Sequence, residues 1–142
     1  CLRFFTVYGP RGRPDMAPYK FTKLIDEGKE IEVYGTTTSK RDYTYVADIV
    51  DGVIAAVDKN LDFEIINLGN SKTVELRHLI SVIENLLGKK AKTKQLPEQP
   101  GDVPVTYADI SKARKLLGYA PKTSIEEGMA LFVEWYKARG VK

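Results

Sequence analysis

The start of the fold is indicated by residues 2–10, which read Leu2-Arg3-Phe4-Phe5-Thr6-Val7-Tyr8-Gly9-Pro10. Apolar side chains dominate this run and a Gly-Pro pair ends it, so we expect one buried strand over residues 2–8. Gly12 and Pro14 disfavour regular structure in the next residues, which predicts a loop. A strand beginning at residue 2 has no room before it for a neighbour, so the element that pairs beside it is expected to be missing.

Helical and strand patterns alternate along the rest of the chain. Helical spacing and caps predict helices over residues 17–26, 46–58, 76–87 and 112–117, the last of these capped by Ser111. A capping box at Ser124 to Glu127 opens a final helix, whose apolar face is expected to hold Leu131, Phe132, Trp135 and Tyr136. Short strands are predicted over residues 31–35 and 63–68. With 142 residues and no internal repeat or linker, the chain reads as one α/β domain over residues 1–142.

Composition excludes several classes of protein. The 22 Lys and Arg against 19 Asp and Glu give a charge of only +3, and the basic residues are scattered, so we expect no nucleic-acid partner. One cysteine and one histidine cannot form an internal disulfide or a zinc cluster, so no metal site is expected. No run of about 18 apolar residues occurs, so we expect no membrane association and a cytoplasmic location.

Arginines mark the loops and strand ends. Arg3, Arg11, Arg13 and Arg41 lie where a guanidinium can bind a phosphate or carboxylate in bidentate fashion, which indicates an anionic ligand. The alternative is that each is simply solvated, and Arg41 with Asp42 could be only a surface pair.

Other polar candidates leave two interpretations each. His78 lies within a predicted helix, with nothing nearby to orient it as a base, which favours a surface or capping role. Tyr8, Tyr34 and Tyr45 suit the rim of a core or, for Tyr34, stacking on a base. Asp102 could accept a hydrogen bond from a sugar hydroxyl or bind its own turn backbone.

The sequence contains no Gly-x-Gly-x-x-Gly, no Gly-Lys-Ser or Gly-Lys-Thr phosphate loop and no Gly-x-Ser-x-Gly. No complete catalytic constellation is therefore predicted, and no catalytic residue is assigned.

Taken in order, the segments resemble the carboxyl-terminal half of the extended short-chain dehydrogenase/reductase family, the NAD-dependent nucleotide-sugar epimerases and dehydratases. The resemblance runs from residue 2 to about residue 136, and its markers are Arg3 to Pro10, Val33-Tyr34-Gly35, Arg41-Asp42-Tyr43, Val46-Ala47-Asp48-Ile49-Val50, Asn67-Leu68-Gly69, Pro100-Gly101-Asp102, Ala108-Asp109 and Leu117-Gly118-Tyr119 with Pro121. It implies the substrate-binding half of a Rossmann-type fold.

Within that family, the chain looks most like the UDP-glucuronate 4-epimerases, on the evidence of Thr6 and Gln99. Galactose-type epimerases usually carry asparagine in place of Thr6 and arginine in place of Gln99. The implied reaction interconverts UDP-glucuronate and UDP-galacturonate: NAD takes hydride from C4 of the sugar, the keto sugar turns over, and hydride returns to the other face.

The resemblance also implies roles for individual residues. Thr6 would bind the sugar carboxylate, Arg13 would fix the substrate, and Arg41 would clamp the diphosphate. The remaining substrate-binding residues would be Asp15 and Met16 in the nucleotide pocket, Val33 and Tyr34 beside the uracil, Gln99, and Asp102 at the ribose, with Phe4 and Phe5 bordering the nicotinamide and sugar.

The family's glycine-rich NAD loop and its catalytic Tyr-x-x-x-Lys lie before the strand that opens this chain. The resemblance therefore implies a fragment that is inactive alone and does not bind NAD tightly, with a UDP-sugar as its partner. Apolar surface left exposed would favour self-association. The alternatives are a noncatalytic module that binds a nucleotide sugar or a protein, and a dehydratase or decarboxylase of the same family.

Overall fold

The structure, a computed structural model, describes residues 1–139. Strands and helices alternate along them. Their bounds are β1 Leu2–Phe4, β2 Thr6–Tyr8, α1 Ala17–Asp26, β3 Glu30–Tyr34, β4 Lys40–Arg41, β5 Tyr43–Tyr45, α2 Val46–Asp58, β6 Ile66–Leu68, β7 Val74–Glu75, α3 Leu76–Leu87, β8 Lys92–Leu96, α4 Ser111–Leu117 and α5 Ile125–Ala138. The predicted α/β class is confirmed.

The strands associate in pairs. Three pairs are parallel, β1 with β6, β2 with β5 and β3 with β8, whereas β4 and β7 are antiparallel. Parallel pairs need a crossover between their strands, and α1 and α2 provide part of these connections.

The prediction of one buried strand over residues 2–8 is wrong in two ways. The chain changes pairing partner at Phe5, whose N–H donates to Leu68 O (3.1 Å), while the next N–H, that of Thr6, donates to Asp42 O (3.2 Å). The run therefore forms two short strands, β1 against β6 and β2 against β5. The Phe4 side chain is about half exposed, so the apolar pattern did not indicate burial here.

The helices follow their local signals closely. The structure confirms the helices predicted over residues 17–26, 46–58 and 76–87, and Gly88 ends the last of these in the left-handed conformation (φ 66°). The capping box is also confirmed, because Ser124 Oγ accepts from Glu127 N (3.2 Å) and Glu127 Oε2 accepts from Ser124 N (3.0 Å).

Three local predictions are wrong. The strand expected over residues 63–68 is only Ile66–Leu68, and the Phe63 side chain is 82% exposed. Ser111 lies inside α4 rather than capping it, and the Asp109 carboxylate accepts from Ser111 N (2.9 Å) instead. Leu131 is half exposed and does not belong to the buried face of α5.

Two apolar clusters hold the elements together. The larger packs α1, α3 and α5 around β3 and β5, with Ile25, Ile83 and Phe132 almost fully buried. The smaller packs α2 and α4 on β6 and includes Leu68 and Tyr119. Strand β2 passes between the clusters, because Tyr8 belongs to the larger one and Val7 packs on the smaller.

Candidate functional site

An open cleft of about 590 Å³ lies beside the junction of β1 and β2. Its lining residues are Phe4, Phe5, Thr6, Val7, Arg13, Met16 and Thr106. We call it the Thr6 cleft. It brings together five residues that the resemblance assigned to a site: Phe4, Phe5, Thr6, Arg13 and Met16. Aromatic rings, a hydroxyl and a guanidinium around one cleft suit a polar ligand that carries negative charge.

A smaller cleft of about 160 Å³, which we call the Arg41 cleft, opens among α1, β3 and β4. Its lining residues are Ala17, Phe21, Glu32, Val33, Tyr34, Ser39, Arg41, Tyr43, Leu76 and Asp102. Four further residues of the expected site meet here, namely Val33, Tyr34, Arg41 and Asp102. The expected site residues therefore fall mainly into two clefts.

Arg41 is the basic residue of the smaller cleft. Its guanidinium donates one hydrogen bond to the carboxylate of Asp102 and another, from Nη1, to its neighbour's carbonyl, Lys40 O (3.0 Å). The side chain is 20% exposed, so the guanidinium is held in place and still reachable from solvent. A guanidinium in this setting can bind a phosphate or carboxylate in bidentate fashion.

Asp102 lies in a turn within the loop that follows β8. Its N–H donates to Gln99 O (3.1 Å), and Gly101 takes the left-handed conformation (φ 87°) that such a turn requires. Its carboxylate binds Arg41 rather than its own turn backbone. Gln99 contributes a backbone carbonyl to the turn and lines neither cleft.

The remaining expected residues have simple surroundings. Arg13 and Asp15 form an exposed ion pair, with 2.6 Å between Nη2 and Oδ2, and the hydrogen bond from Arg13 holds the pKa of the Asp15 carboxyl below its usual range. Asp15 does not line the Thr6 cleft. Val33 is buried in the larger core, and the Tyr34 hydroxyl donates to Glu32 Oε2 (3.2 Å).

The sequence assigns Asp42 no role of its own, and the alternative that Arg41 and Asp42 form only a surface pair is wrong. The Asp42 side chain is fully buried (0% exposed), and it accepts hydrogen bonds from groups that lie far away in the chain. Thr106 is also assigned no role by the sequence, and its hydroxyl accepts from Asp42 N (3.2 Å). No local pattern signals these contacts, because every hydrogen-bond partner of Asp42 except Thr44 lies 28 to 66 positions away.

The other candidates take structural roles. His78 is exposed, and its Nε2 lies 2.6 Å from Glu126 Oε1, in agreement with a surface role. Tyr8 is buried and donates to Ser124 O (3.1 Å), as expected for the rim of a core. Burial raises the pKa of the Tyr8 hydroxyl above its usual value.

A Tyr-x-x-x-Lys spacing does occur within this chain, at Tyr19 and Lys23 on α1. The Tyr19 ring packs against Phe132 (5.6 Å between centroids) and Tyr136 (6.0 Å). Lys23 lies 4.0 Å from Glu27, an ordinary pair one helical turn apart. This Tyr and Lys therefore serve packing and helix stability, and neither lines the Thr6 cleft or the Arg41 cleft.

The residues present do not form a dinucleotide site by themselves. The sequence has no glycine-rich loop to hold a pyrophosphate. The only residues of this chain that the resemblance places beside the nicotinamide are Phe4 and Phe5, which line the Thr6 cleft. Within residues 1–139, no group of His, Cys, Asp and Glu side chains could hold a metal ion. Among the helices of that same stretch, none is long and apolar enough to cross a membrane.

Comparisons with known proteins agree on one family. A family model described as GDP-mannose 4,6 dehydratase matches residues 1–132. An uncharacterised protein of Methanocaldococcus jannaschii is 59% identical over 135 residues, which are 95% of this chain and 41% of that protein. A UDP-glucuronate 4-epimerase of Thermodesulfobacterium geofontis is 50% identical over 137 residues, covering 96% of this chain and 42% of the relative.

Solved structures give the same picture. UDP-glucuronic acid 4-epimerase from Bacillus cereus, in complex with UDP-glucuronic acid and NAD, superposes with a TM-score of 0.92 at 40% identity, over 97% of this chain and 45% of that one. UDP-glucose 4-epimerase from Thermotoga maritima, with UDP-glucose, gives 0.91 at 33% identity, over 97% and 45%. The chain thus spans less than half the length of the relatives it matches.

Proposed function

Because this chain belongs to the GDP-mannose 4,6 dehydratase family, among the extended short-chain dehydrogenases/reductases, we propose that it is the substrate-binding portion of an NAD-dependent UDP-sugar 4-epimerase. The proposed reaction interconverts UDP-glucuronate and UDP-galacturonate. The observation that carries this proposal is the placement of Arg41, a partly exposed guanidinium in a cleft that also holds Val33, Tyr34 and Asp102. The resemblance assigned these same four residues to the nucleotide.

In this proposal Arg41 clamps the diphosphate. The ligand phosphates replace the Asp102 carboxylate on the guanidinium, which frees Asp102 to accept a hydrogen bond from the ribose. Tyr34 and Val33 flank the uracil on the same side. Charge-assisted hydrogen bonds from a guanidinium to phosphate are among the stronger polar contacts in proteins, so Arg41 supplies the largest single share of affinity.

The Thr6 cleft receives the sugar. Thr6 donates its hydroxyl hydrogen to the sugar carboxylate, and Arg13 holds the substrate electrostatically. Met16, which the resemblance assigned to the nucleotide pocket, lines this cleft instead, and Phe4 and Phe5 offer an aromatic surface beside the sugar. The presence of Thr6 and Gln99 favours a glucuronate epimerase over a dehydratase or decarboxylase. Product analysis of the whole enzyme with UDP-glucuronate would distinguish these activities.

This chain contributes the substrate side of the reaction. NAD supplies hydride transfer in the whole enzyme, whereas neither cleft contains a paired Tyr and Lys among the described residues. We therefore propose that the 142-residue chain does not turn over substrate alone and binds NAD only weakly. A cytoplasmic location is also proposed, since the chain has one cysteine, Cys1, and it is free and exposed.

Isothermal titration calorimetry tests the proposal. The chain is titrated with UDP, UDP-glucuronate and UDP-galactose, with NAD as the ligand control. We expect the UDP compounds to bind and Arg41→Ala to abolish that binding. Arg114→Ala, which removes the same charge from the exposed surface of α4, serves as the matched control and retains affinity. Equal affinity of the Arg41→Ala variant and the wild-type chain for UDP would refute the assignment of the clamp.

A further inference from the structure

We propose that Asp42 is a positioning residue, which holds the Arg41 cleft and the Thr6 cleft in fixed relation to one another. The inference rests on the proposed function only for the identity of the ligand. Asp42 itself lines neither cleft, so it acts through its neighbours.

The carboxylate of Asp42 gathers three segments of the chain. Oδ1 accepts from Asn70 N (2.7 Å) and Thr44 Oγ1 (3.2 Å), and Oδ2 accepts from Ser71 N (3.0 Å) and Ala108 N (3.0 Å). Four donors thus meet two oxygens, which fills the places where a carboxylate accepts hydrogen bonds. The buried carboxylate fixes the loop after β6 and the segment before α4 against β5.

The main chain of the same residue connects the two clefts. Its carbonyl accepts from Thr6 N (3.2 Å), and its N–H donates to Thr106 Oγ1 (3.2 Å), so both of its backbone groups hold residues that line the Thr6 cleft. The residue directly before it is Arg41, which lines the other cleft. A shift of Asp42 therefore moves Arg41 relative to Thr6.

The hydrogen-bond partners of Asp42 indicate that its carboxylate positions loops and does not neutralise a basic side chain. A carboxylate taken out of water is costly unless it is well hydrogen-bonded. Among the ion pairs of the described residues none involves Asp42, and its donors are three backbone N–H groups and one hydroxyl. Donors of this kind fix the geometry of loops, because each belongs to the main chain or to a rigid β-branched side chain.

Asp48 provides a matched comparison within the same chain. It is also buried (3% exposed) and accepts two backbone N–H groups, those of Lys122 (3.4 Å) and Thr123 (3.1 Å). It lies on α2, and neither it nor its two partners line the Thr6 or the Arg41 cleft. Thr123 O also accepts from Asn70 Nδ2 (3.2 Å), so loss of Asp48 disturbs that loop indirectly. It weakens the fold but removes none of the four hydrogen bonds to the Asp42 carboxylate.

The experiment compares Asp42→Asn with Asp48→Asn in the full chain. Urea unfolding measures stability, and NMR follows the Nε–Hε signal of Arg41, assigned by its absence in Arg41→Lys. In the wild-type background we expect Asp102→Asn to shift this signal, because the two side chains are paired. UDP affinity is measured by calorimetry where each variant is folded.

Both Asn variants should lose stability. Only Asp42→Asn should remove the response of the Arg41 signal to Asp102→Asn and weaken UDP binding by about tenfold, the equivalent of one charge-assisted hydrogen bond. The proposal is overturned if Asp42→Asn shows the same response of the Arg41 signal and the same UDP affinity as Asp48→Asn. If wild-type chain fails to bind UDP, the proposed function fails, while the NMR comparison still decides the role of Asp42.

Should Asp42→Asn not fold, Thr44→Val gives a milder form of the test. It removes one of the four donors to the carboxylate while keeping the β-branched shape. Thr22→Val is its control, since that buried hydroxyl donates to Pro18 O (2.7 Å) within α1. A shift of the Arg41 signal in Thr44→Val but not in Thr22→Val supports positioning, and equal shifts or none in both overturn it.

Discussion

The guanidinium of Arg41 donates a hydrogen bond to the carboxylate of Asp102, although 61 positions separate the two residues in the chain. Arg41 is mostly covered by protein and Asp102 is half exposed. The basic group of the smaller cleft is therefore already engaged by an acid of the same chain. An incoming anion must compete with that acid, and this competition leads to the first prediction.

Asp102→Asn should strengthen the binding of inorganic pyrophosphate by roughly two- to fivefold, because a partly exposed ion pair contributes only about 0–1 kcal/mol. UDP should gain less than pyrophosphate, since the substitution also weakens the proposed contact with the ribose. Titration calorimetry with the two ligands measures the difference. Asp51→Asn, an exposed carboxylate on α2, controls for the change in net charge. Equal gains for the two ligands would contradict a ribose contact.

Gly69→Ala should disturb the loop that Asp42 holds. A Cβ at Gly69 would lie 2.3 Å from the Ala108 Cβ and 3.3 Å from both Asp42 carboxylate oxygens, so the loop must move. We expect a loss of about 1–3 kcal/mol in the free energy of unfolding, as for other overpacked sites, together with weaker UDP binding.

Gly28→Ala is the control for that substitution. Its Cβ would meet nothing within 4 Å, but the positive φ (67°) costs an alanine about 1–2 kcal/mol. The two variants should thus have comparable urea midpoints and different UDP affinities. Unchanged UDP affinity in Gly69→Ala would show that the position of this loop does not affect ligand binding.

Self-association is expected from an exposed apolar groove of about 380 Å³ formed mainly by residues 53–66. Phe63 is 82% exposed and Val57 is 78% exposed, which is unusual for large apolar side chains grouped together. Replacing both with Ser should lower the weight-average molar mass that sedimentation equilibrium measures for the chain at high concentration. Leu131→Ser, on α5, removes an exposed apolar residue elsewhere and should leave that mass unchanged. A wild-type chain that sediments as a monomer would refute the prediction.

Buried tyrosines should make the chain sensitive to alkali. Burial raises the pKa of Tyr43 to about 12, and burial also raises the pKa of Tyr8 and Tyr119 above the usual value. A raised folded-state pKa means that the folded chain holds the phenol proton more tightly than the unfolded chain does. The stabilisation is therefore complete below about pH 10, the unfolded pKa, and is lost as the pH rises toward 12.

Urea unfolding of wild type and Tyr43→Phe between pH 8 and 12 checks this. The phenylalanine keeps the buried ring and removes the titrating group. Between pH 8 and pH 11 the free energy of unfolding of the variant should therefore fall by about 1 kcal/mol less than that of the wild type. Lysine titration affects both proteins alike and cancels in the comparison. Parallel pH curves for the two proteins would show that Tyr43 ionises as easily when folded as when unfolded.

Much of the local structure could be predicted because its causes lie within a few residues. Helix α2 begins and ends where its apolar period does, and α5 begins at a capping box whose two partners are three positions apart. Gly88 stops α3 because only glycine readily takes the left-handed conformation. The clefts are not signalled by any local pattern; a resemblance assigns Arg41, Val33, Tyr34 and Asp102 to one ligand, and the structure brings these four residues into one cleft.

The sequence by itself determined the α/β class, the five helices and the residue types available for a UDP-sugar site, because periodicity, caps and motif order are local properties of the chain. Only the tertiary structure decided that residues 2–8 divide at Phe5, that Arg41 pairs with Asp102, and that Asp42 is buried. These features depend on groups brought together from distant segments, and the free energy that selects them comes from burial and hydrogen bonding in the assembled fold.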